Sequence, residues 1–354
     1  MISKKIIIMA GGSGGHVFPG LAIATCLLKK GWSINWIGTE NNIESNIVPK
    51  YGIKIHFIKI KGLRNSSLKN LIYSPIYILR SYYKVKKIIK NWSPDIILGM
   101  GGYVSGPGGI AAWNSNIPLV IHEQNQIAGI TNHWLSKIST KNMQAFPNVL
   151  KNGIVVGNPV SKSIINIPSP KIRFKNRKGP LRVLVIGGSQ GSSILNHVLP
   201  KVLFSLKKKI IIWHQVGHNN LEKTQKRYDE FGLKEQNITC FINNIASAYE
   251  WADIIICRSG ALTVSEISVV GLGAIFIPYP HKDRQQHQNA QNLKNIGAAK
   301  IIDQLNFNSE LIVNIINSLN RHILLIMAEK AYDLGIRNST SKIFKIINNI
   351  VNKK

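Results

Sequence analysis

Lys4-Lys5-Ile6-Ile7-Ile8-Met9-Ala10 runs into Gly11-Gly12-Ser13-Gly14-Gly15-His16, and Leu181-Arg182-Val183-Leu184-Val185-Ile186 runs into Gly187-Gly188-Ser189-Gln190-Gly191. Both stretches follow one plan: a short apolar run, a glycine turn, then a helical pattern. An apolar run of strand length without alternation is what a parallel strand buried on both faces requires. Further runs extend the plan at 33–37, 54–59, 96–98 and 119–121 in the first half, and at 210–214, 238–241, 254–257 and 274–277 in the second. Helical patterns separate most of them. The fold class is therefore α/β, with two doubly wound parallel sheets covered on both faces.

Composition bounds the rest. A chain of 354 residues has room for about two domains. With 44% apolar and 17% charged residues, intrinsic disorder is excluded as the main state. Cys26, Cys240 and Cys257 are odd in number and far apart. They exclude a disulfide framework and a zinc finger, and fit a reducing compartment. No apolar run reaches the ~18 residues of a bilayer span. Forty-five Lys and Arg against 16 acids leave a net charge of +29, which attracts polyanions. Those bases are spread along the chain, and heavy use of Lys, Ile and Asn accounts for the total equally well. No RNA- or DNA-binding motif accompanies the charge, so no nucleic-acid partner is expected. Pro159, Pro168, Pro170 and Pro180, with a basic cluster, have linker composition, and residues 161–180 are read as a linker.

A glycine turn lets backbone approach a ligand, and the helix after it aims N–H groups and partial positive charge at an anion. Two such loops point to phosphate or diphosphate. The commoner motifs fail: a dinucleotide fingerprint built on Gly12-Ser13-Gly14 would need glycine at 17, where Val17 stands, and no Gly-Lys-Ser/Thr occurs. Hydride transfer and P-loop ATPase chemistry are thereby disfavoured. No Asp-x-Asp pair is present. A nucleoside diphosphate would be met by helix N-termini and hydrogen-bond donors rather than by a metal.

Three longer stretches carry more information. They are Gly11-Gly12-Ser13-Gly14-Gly15-His16-Val17-Phe18-Pro19; Gly101-Gly102-Tyr103-Val104-Ser105-Gly106-Pro107 followed by His122-Glu123-Gln124-Asn125; and Cys257-Arg258-Ser259-Gly260-Ala261-Leu262-Thr263-Val264-Ser265-Glu266 followed by His281-Lys282-Asp283-Arg284-Gln285-Gln286. In this order and spacing the chain resembles the MurG family of N-acetylglucosamine transferases, across roughly residues 4 to 340. The resemblance implies a GT-B fold of two Rossmann-like domains with an interdomain cleft. Residues 1–160 would form the acceptor and membrane-facing domain and 181–336 the donor domain. A helix over 337–354 would pack back on the first. The implied donor is UDP-N-acetylglucosamine (UDP-GlcNAc). The implied acceptor is undecaprenyl-diphospho-N-acetylmuramoyl pentapeptide, glycosylated at its C4 hydroxyl with inversion, without cofactor or metal. The implied location is peripheral, on the cytoplasmic face of the inner membrane. A GT-B enzyme with another acceptor, or an epimerase of the same UDP-sugar, is disfavoured by residues 101–107 and 122–125.

An inverting transfer needs a base for the acceptor hydroxyl and support for the departing diphosphate. His16 follows a glycine turn at a helix start, where the helix field disfavours imidazolium and keeps the ring able to accept a proton. The family's base matches this position, and Ser13, Gly14 and Gly15 are assigned with it to substrate binding. Ser189 is expected to donate to the donor phosphate. Ala261, Leu262, Thr263, Val264 and Ser265 open another helix toward the diphosphate, and Glu266 is expected to accept from both ribose hydroxyls. Ile242 matches the family position whose backbone pairs with uracil. Asn125, Gln285 and Gln286 carry amides suited to sugar hydroxyls. Gly102, Tyr103, Ser105, His122 and Glu123 are assigned to the acceptor side. The family commonly has an arginine where Ser161 stands; either Lys162 or Arg258 compensates, or donor affinity is lower.

Residues 71–90 hint independently at a lipid. Ser74-Pro75 reads as a helix start. Ile78, Tyr82, Val85 and Ile89 form one stripe; Ile76, Leu79 and Tyr83, extended by Ile72, form another on roughly the opposite side. One apolar face suffices to pack a helix on a domain. The second, running into Lys86 and Lys87 and joined by Trp113, suits an anionic membrane surface, at ~1 kcal/mol per basic residue near it.

Overall fold

The computed structural model describes residues 3–60, 68–206, 209–233 and 236–353, the side chains of 68–74 excepted. The chain divides into two bodies, Met1–Ser161 with Arg337–Lys354, and Lys162–Ile336.

The first body holds seven parallel strands: β1 (Lys5–Met9), β2 (Ser33–Gly38), β3 (Lys54–Phe57), β4 (Ile96–Gly99), β5 (Leu119–Glu123), β6 (Lys141–Gln144) and β7 (Ile154–Val155), in the order β3-β2-β1-β4-β5-β6-β7. Alternate side chains of a strand face opposite sides of its sheet. Ile6 and Ile8 of β1 accordingly pack with Val17, Leu21 and Ala24 of the helix Gly14–Leu28 and with Ile343 and Ile347 of the C-terminal helix Ser339–Asn352. Ile7 and Met9 enter the other layer with Val85, Ile89, Val104 and Leu135. Lys4 Nζ ties the C-terminal helix down further, donating to Asn348 and Asn352 Oδ1 at 2.9 and 2.5 Å.

The second body holds six parallel strands: β8 (Leu181–Ile186), β9 (Ile210–Gln215), β10 (Asn237–Thr239), β11 (Ile254–Cys257), β12 (Gly273–Phe276) and β13 (Ala299–Ile301), in the order β10-β9-β8-β11-β12-β13. Each sheet starts in its middle and builds outward on both sides, so strand order reverses between β1 and β4 and between β8 and β11. Open α/β sheets take ligands at the carboxyl ends of such strands. Residues 11–16 and 100–103 stand at the first reversal, 187–191 and 258–260 at the second.

The structure departs from the expectations in three places. Of residues 161–180, expected as a linker, Ser161 belongs to the first body and 162–180 to the second, where they form the helices Lys162–Ile165 and Pro170–Phe174. The anchors are arginines, which composition alone reads as solvated. Buried Arg173 donates to the carbonyls of Pro168, Tyr249, Val270 and Gly271. Burial lowers its pKa to about 10, so the cation persists at neutral pH. Arg177 and Arg321 both reach the fully buried Asp253, at 2.5 and 3.1 Å, and the Arg182 N–H donates to the same carboxylate. Secondly, β6, β7 and β13 lie at or next to sheet edges, and lack the long apolar runs by which the inner strands are legible. Thirdly, the helix expected to begin at Ser74-Pro75 begins at Leu68 and runs to Trp92. Pro75 stands inside that helix, where it has no N–H to complete the backbone bond one turn back.

Breaking a buried ion pair by deleting one partner costs about 3–5 kcal/mol. Asp253→Ala should destabilise the second body by about 3 kcal/mol in urea unfolding; a loss below about 1 kcal/mol would remove the anchor as an explanation.

Candidate functional site

At the carboxyl edge of the first sheet, a buried acid shapes the glycine turn. Glu44 is fully buried. Its carboxylate accepts from the Gly12 N–H at 3.1 Å and from the Thr39 N–H and hydroxyl at 2.9 and 2.7 Å. A Cβ on Gly11 would stand 2.4 Å from Glu44 Oε1, so the turn closes over the acid only with glycine there. The sequence reading missed Glu44; an acid just past a buried strand, in a chain with so few acids, was the available signal. Ser13 is the N-cap of the helix Gly14–Leu28, its hydroxyl making no cap bond, and Ser13 and Gly15 are exposed. His16 sits in the first turn of that helix, half-buried, against Gly101 and Gly102, whose added Cβ atoms would approach its ring to 3.2 and 3.3 Å.

The 122–125 segment meets His16 from the end of β5. His16 Nδ1 lies 2.8 Å from Gln124 Oε1. Gln124 Nε2 lies 3.0 Å from both His122 Nδ1 and the His122 carbonyl, and His122 Nε2 is 2.9 Å from the Gly157 carbonyl. Burial lowers the His122 pKa to about 4, so that ring is neutral at physiological pH. Glu123 is buried and its carboxylate is fully engaged: Oε1 accepts from the N–H and side-chain amide of Asn125, Oε2 from the Gly129 N–H and Asn132.

Three acceptor-side assignments change in consequence. Ser105 is buried and its hydroxyl turns to the carbonyls of Gly101 and Met9, 2.8 and 3.2 Å away. His122 and Glu123 are likewise interior. All three shape the turns from within. Their place in the family's motif made them candidates, and only packing reveals which way each side chain points. Gly102 and Tyr103 stay accessible in part, and the Tyr103 hydroxyl lies 3.4 Å from Asn42 Nδ2.

In the second body a cavity of about 800 Å³ opens at the carboxyl ends of β8 and β11. Of the predicted residues, Thr263 and Gln286 line it; Ser189, Ile242, Glu266 and Gln285 do not. Ser189 is exposed on the Gly188–Gly191 turn, which closes through a Gly191 N–H bond to the Gly188 carbonyl at 2.8 Å. Gly191 and Gly217 pass so closely that a Cβ on Gly191 would lie 1.9 Å from the Val216 carbonyl oxygen. The Ile242 N–H faces Gln215 Oε1 at 3.4 Å, and Gln215 Nε2 donates to the Gly188 carbonyl at 2.9 Å. Ala261 and Val264 are buried, and the Ser265 hydroxyl donates back to the Ala261 carbonyl. What Ala261, Leu262 and Thr263 offer is thus the N-terminal turn of the helix Ala261–Val270, whose first N–H groups lack helical acceptors. Gln286 Oε1 accepts from the Tyr279 N–H at 2.9 Å. Ser161 and Lys162 are exposed. Arg258 lines the cavity but is committed to the carbonyls of Ile277 and Pro278 and to Gln304 Oε1. Ser192 and Asn196, missed in the sequence, line it too, with Ser192 Oγ and Asn196 Oδ1 buried and unpartnered. Ser192 lies just beyond the quoted motif, and small polar residues give no periodic signal.

One turn beyond Thr263, Glu266 keeps part of its surface accessible, yet burial raises its pKa to about 7. The Tyr249 hydroxyl donates to Glu266 Oε2 at 2.8 Å and partly offsets that rise. Among the described residues, no three of His, Cys, Asp and Glu gather as a metal-holding group.

On the helix Leu68–Trp92, Val85 and Ile89 are buried while Leu79 and Tyr83 are 55% and 61% exposed, and Ile76, Lys86 and Lys87 are exposed as well. The Ile72 side chain lies outside the described residues. The neighbouring helix Gly102–Asn114 adds Trp113, 57% exposed. Trp134 is exposed on the next helix, with Lys137 Nζ 4.1 Å from its ring centroid. No single helix among the described residues is long and apolar enough to cross a membrane.

Comparison with known proteins fits this geometry. Residues 6–144 match the glycosyltransferase family 28 N-terminal domain, and residues 182–346 the family 28 C-terminal domain. A Buchnera aphidicola subsp. Acyrthosiphon pisum (strain Tuc7) protein is 73% identical over the full length of both chains. It is named UDP-N-acetylglucosamine--N-acetylmuramyl-(pentapeptide) pyrophosphoryl-undecaprenol N-acetylglucosamine transferase. A protein of the same name from Aliivibrio fischeri (strain MJ11) is 51% identical over 98% of each chain. The crystal structure of Acinetobacter baumannii MurG superposes with a TM-score of 0.85 at 36% identity, over 98% of this chain and 99% of that one. With two parallel-sheet bodies of GT-B type and both domains of the family matched, the chain belongs to glycosyltransferase family 28, in its MurG group.

Proposed function

We infer that the chain is a hexosyltransferase that moves N-acetylglucosamine from UDP-GlcNAc to the C4 hydroxyl of undecaprenyl-diphospho-N-acetylmuramoyl pentapeptide, a step of peptidoglycan synthesis. The observation that carries this is the 73% identity, over the whole chain, to a transferase named for that donor sugar and acceptor. The polar groups at the two carboxyl edges offer matching chemistry.

In this reading Nε2 of His16 takes the proton of the acceptor hydroxyl as its oxygen attacks the anomeric carbon. The bond from that carbon to the diphosphate breaks, its electron pair leaves with UDP, and configuration inverts. The first N–H groups of the helix Ala261–Val270, the Thr263 hydroxyl and the hydroxyls of Ser189 and Ser192 stabilise the growing negative charge. Glu266 accepts from the ribose hydroxyls and the Ile242 backbone pairs with uracil. Asn125, Gln285 and Gln286 hold sugar hydroxyls, with Ser161 and the Ser13–Gly15 turn at the donor's edge. Gly102 and Tyr103 border the acceptor. His122, Glu123 and Ser105 keep the acceptor-side turns in shape.

The exposed stripe of Ile76, Leu79, Tyr83 and Trp113 beside Lys86 and Lys87 supports contact with an anionic bilayer, where a polyprenyl acceptor resides. A peripheral position on the cytoplasmic face of the inner membrane follows from that contact and from a nucleotide-sugar donor.

Transfer of radiolabel from UDP-GlcNAc to a short-chain lipid acceptor analogue tests the reaction directly. Activity should survive EDTA, and its loss would contradict a metal-free mechanism. Removing a general base typically costs 10²–10⁴-fold. His16→Ala should lower kcat by at least about 10²-fold with UDP binding retained, and unchanged turnover would eliminate His16 as the base. Because the Glu266 pKa stands at about 7, its acceptor form is depleted as pH falls. Between pH 8 and pH 6 the donor KM should rise about tenfold. Glu266→Gln should have a high donor KM with little pH dependence; a variant that still follows the wild-type curve would sink the ribose assignment. Leu79→Glu with Tyr83→Glu should weaken binding to anionic vesicles and leave UDP binding intact, and undiminished vesicle binding would refute the patch.

A further inference from the structure

Three groups join the His16 ring to the interior in an unbroken series: Gln124, His122 and the Gly157 carbonyl. Elementary donor and acceptor rules fix every proton along it. A backbone carbonyl only accepts, so the Gln124 atom 3.0 Å from the His122 carbonyl must be the amide nitrogen. That sets the amide orientation without reference to either imidazole. The other amide atom, Oε1, then faces His16 Nδ1 at 2.8 Å and can only accept, so Nδ1 carries a hydrogen. The far end agrees. The Gly157 carbonyl requires a hydrogen on His122 Nε2, which leaves His122 Nδ1 a lone pair for the second amide hydrogen of Gln124. Gln124 is itself 1% exposed, and Asn158 Nδ2 donates to its backbone carbonyl at 3.0 Å, so the amide stays in place.

We propose that Gln124 is a positioning residue for the transfer, which, backed by His122 and the Gly157 carbonyl, locks the neutral His16 ring with its hydrogen on Nδ1 and its lone pair on Nε2. This deepens the reading of His16 as base and rests on it. An imidazole free in water favours the opposite tautomer, with the hydrogen on Nε2, which cannot take a proton at that atom. The partner on one ring nitrogen decides the state of the other. The relay therefore removes the unproductive tautomer before any acceptor arrives. His122 can serve as a fixed acceptor only while neutral, and its pKa of about 4 keeps it so over the working range. A neutral amide also orients the base without the anion that would favour imidazolium.

Long-range proton–nitrogen NMR of the full chain, labelled with ¹⁵N-histidine, reads both tautomers in the wild type; His16→Ala and His122→Gln identify the two signals. The neutral His16 ring should carry its hydrogen on Nδ1 and His122 on Nε2; His16 protonated on Nε2 would overturn the proposal with no variant needed. In Gln124→Met the His16 signal should move toward the Nε2–H form. Its kcat should fall at least about tenfold, as expected when an orienting group is lost. The KM for UDP-GlcNAc should stay within about twofold of wild type. Gln124→Glu restores an acceptor for Nδ1 and should recover most of kcat, with the acidic limb of the pH profile moved to higher pH by the added carboxylate. An unmoved tautomer in Gln124→Met, or a moved one with unchanged kcat, would each refute the relay. Failure of the base reading is separate: His16→Ala would then turn over normally whatever tautomer the wild type shows.

Discussion

Burial on both faces of a parallel strand is the constraint on which everything else rests. Ile6 to Met9 in one sheet and Val183 to Val185 in the other are fully buried, so these stretches are apolar throughout and present no polar side chain of their own. Chemistry is displaced to the carboxyl ends, where the chain leaves the sheet. There the space is so limited that Gly11 closes over the Glu44 carboxylate and Gly191 passes the Val216 carbonyl, approaches that admit no Cβ. Each glycine turn is followed by a helix with its positive end toward the same edge. A helix end suited to an anion is in this sense a by-product of how the sheet is built, repeated in each body.

Acids are scarce in this basic chain, and the buried ones organise structure. Glu44 holds the first glycine turn, Glu123 gathers the 123–132 loop and Asp253 anchors Arg177 and Arg321. Each is surrounded by fixed donors that replace the water it lost, which is the condition for a buried charge to persist. Glu266 differs: among the described residues it accepts from the Tyr249 hydroxyl alone, and burial raises its pKa to about 7. A carboxylate left short of donors is suited to receive a ligand's hydroxyls. The histidines divide similarly. His122 is neutral and interior, while His16 stands half-buried at the edge with one ring nitrogen held from behind. The nitrogen that is held is thereby separated from the one left facing the edge.

The family resemblance and the plan of strand, glycine turn and helix were legible because they depend on local spacing. Runs such as 6–9 and 183–186 announce a doubly buried strand, and His16 follows its turn directly. What local spacing cannot convey is the direction of a side chain after the turn. Ser105, His122 and Glu123 read as polar candidates for an acceptor, yet all three point inward, bonding to groups that run from their own turns, such as Gly101 and Gly129, to Met9 and Gly157 far along the chain. Residues 162–180 read as a linker because arginine and proline suggest solvent, whereas Arg173 and Arg177 bond to carbonyls and a carboxylate brought close only by folding.

By itself the sequence determined the two parallel sheets, the glycine turns at their carboxyl edges and the residue types available there, since each follows from periodicity and from sterics within a few neighbours. Tertiary structure alone decided which polar groups face outward and how Glu44 and Gln124 come to stand behind the first glycine turn and the His16 ring. Hydrogen bonds between segments a hundred residues apart, such as His16 with Gln124, exist only once the strands carrying them lie side by side.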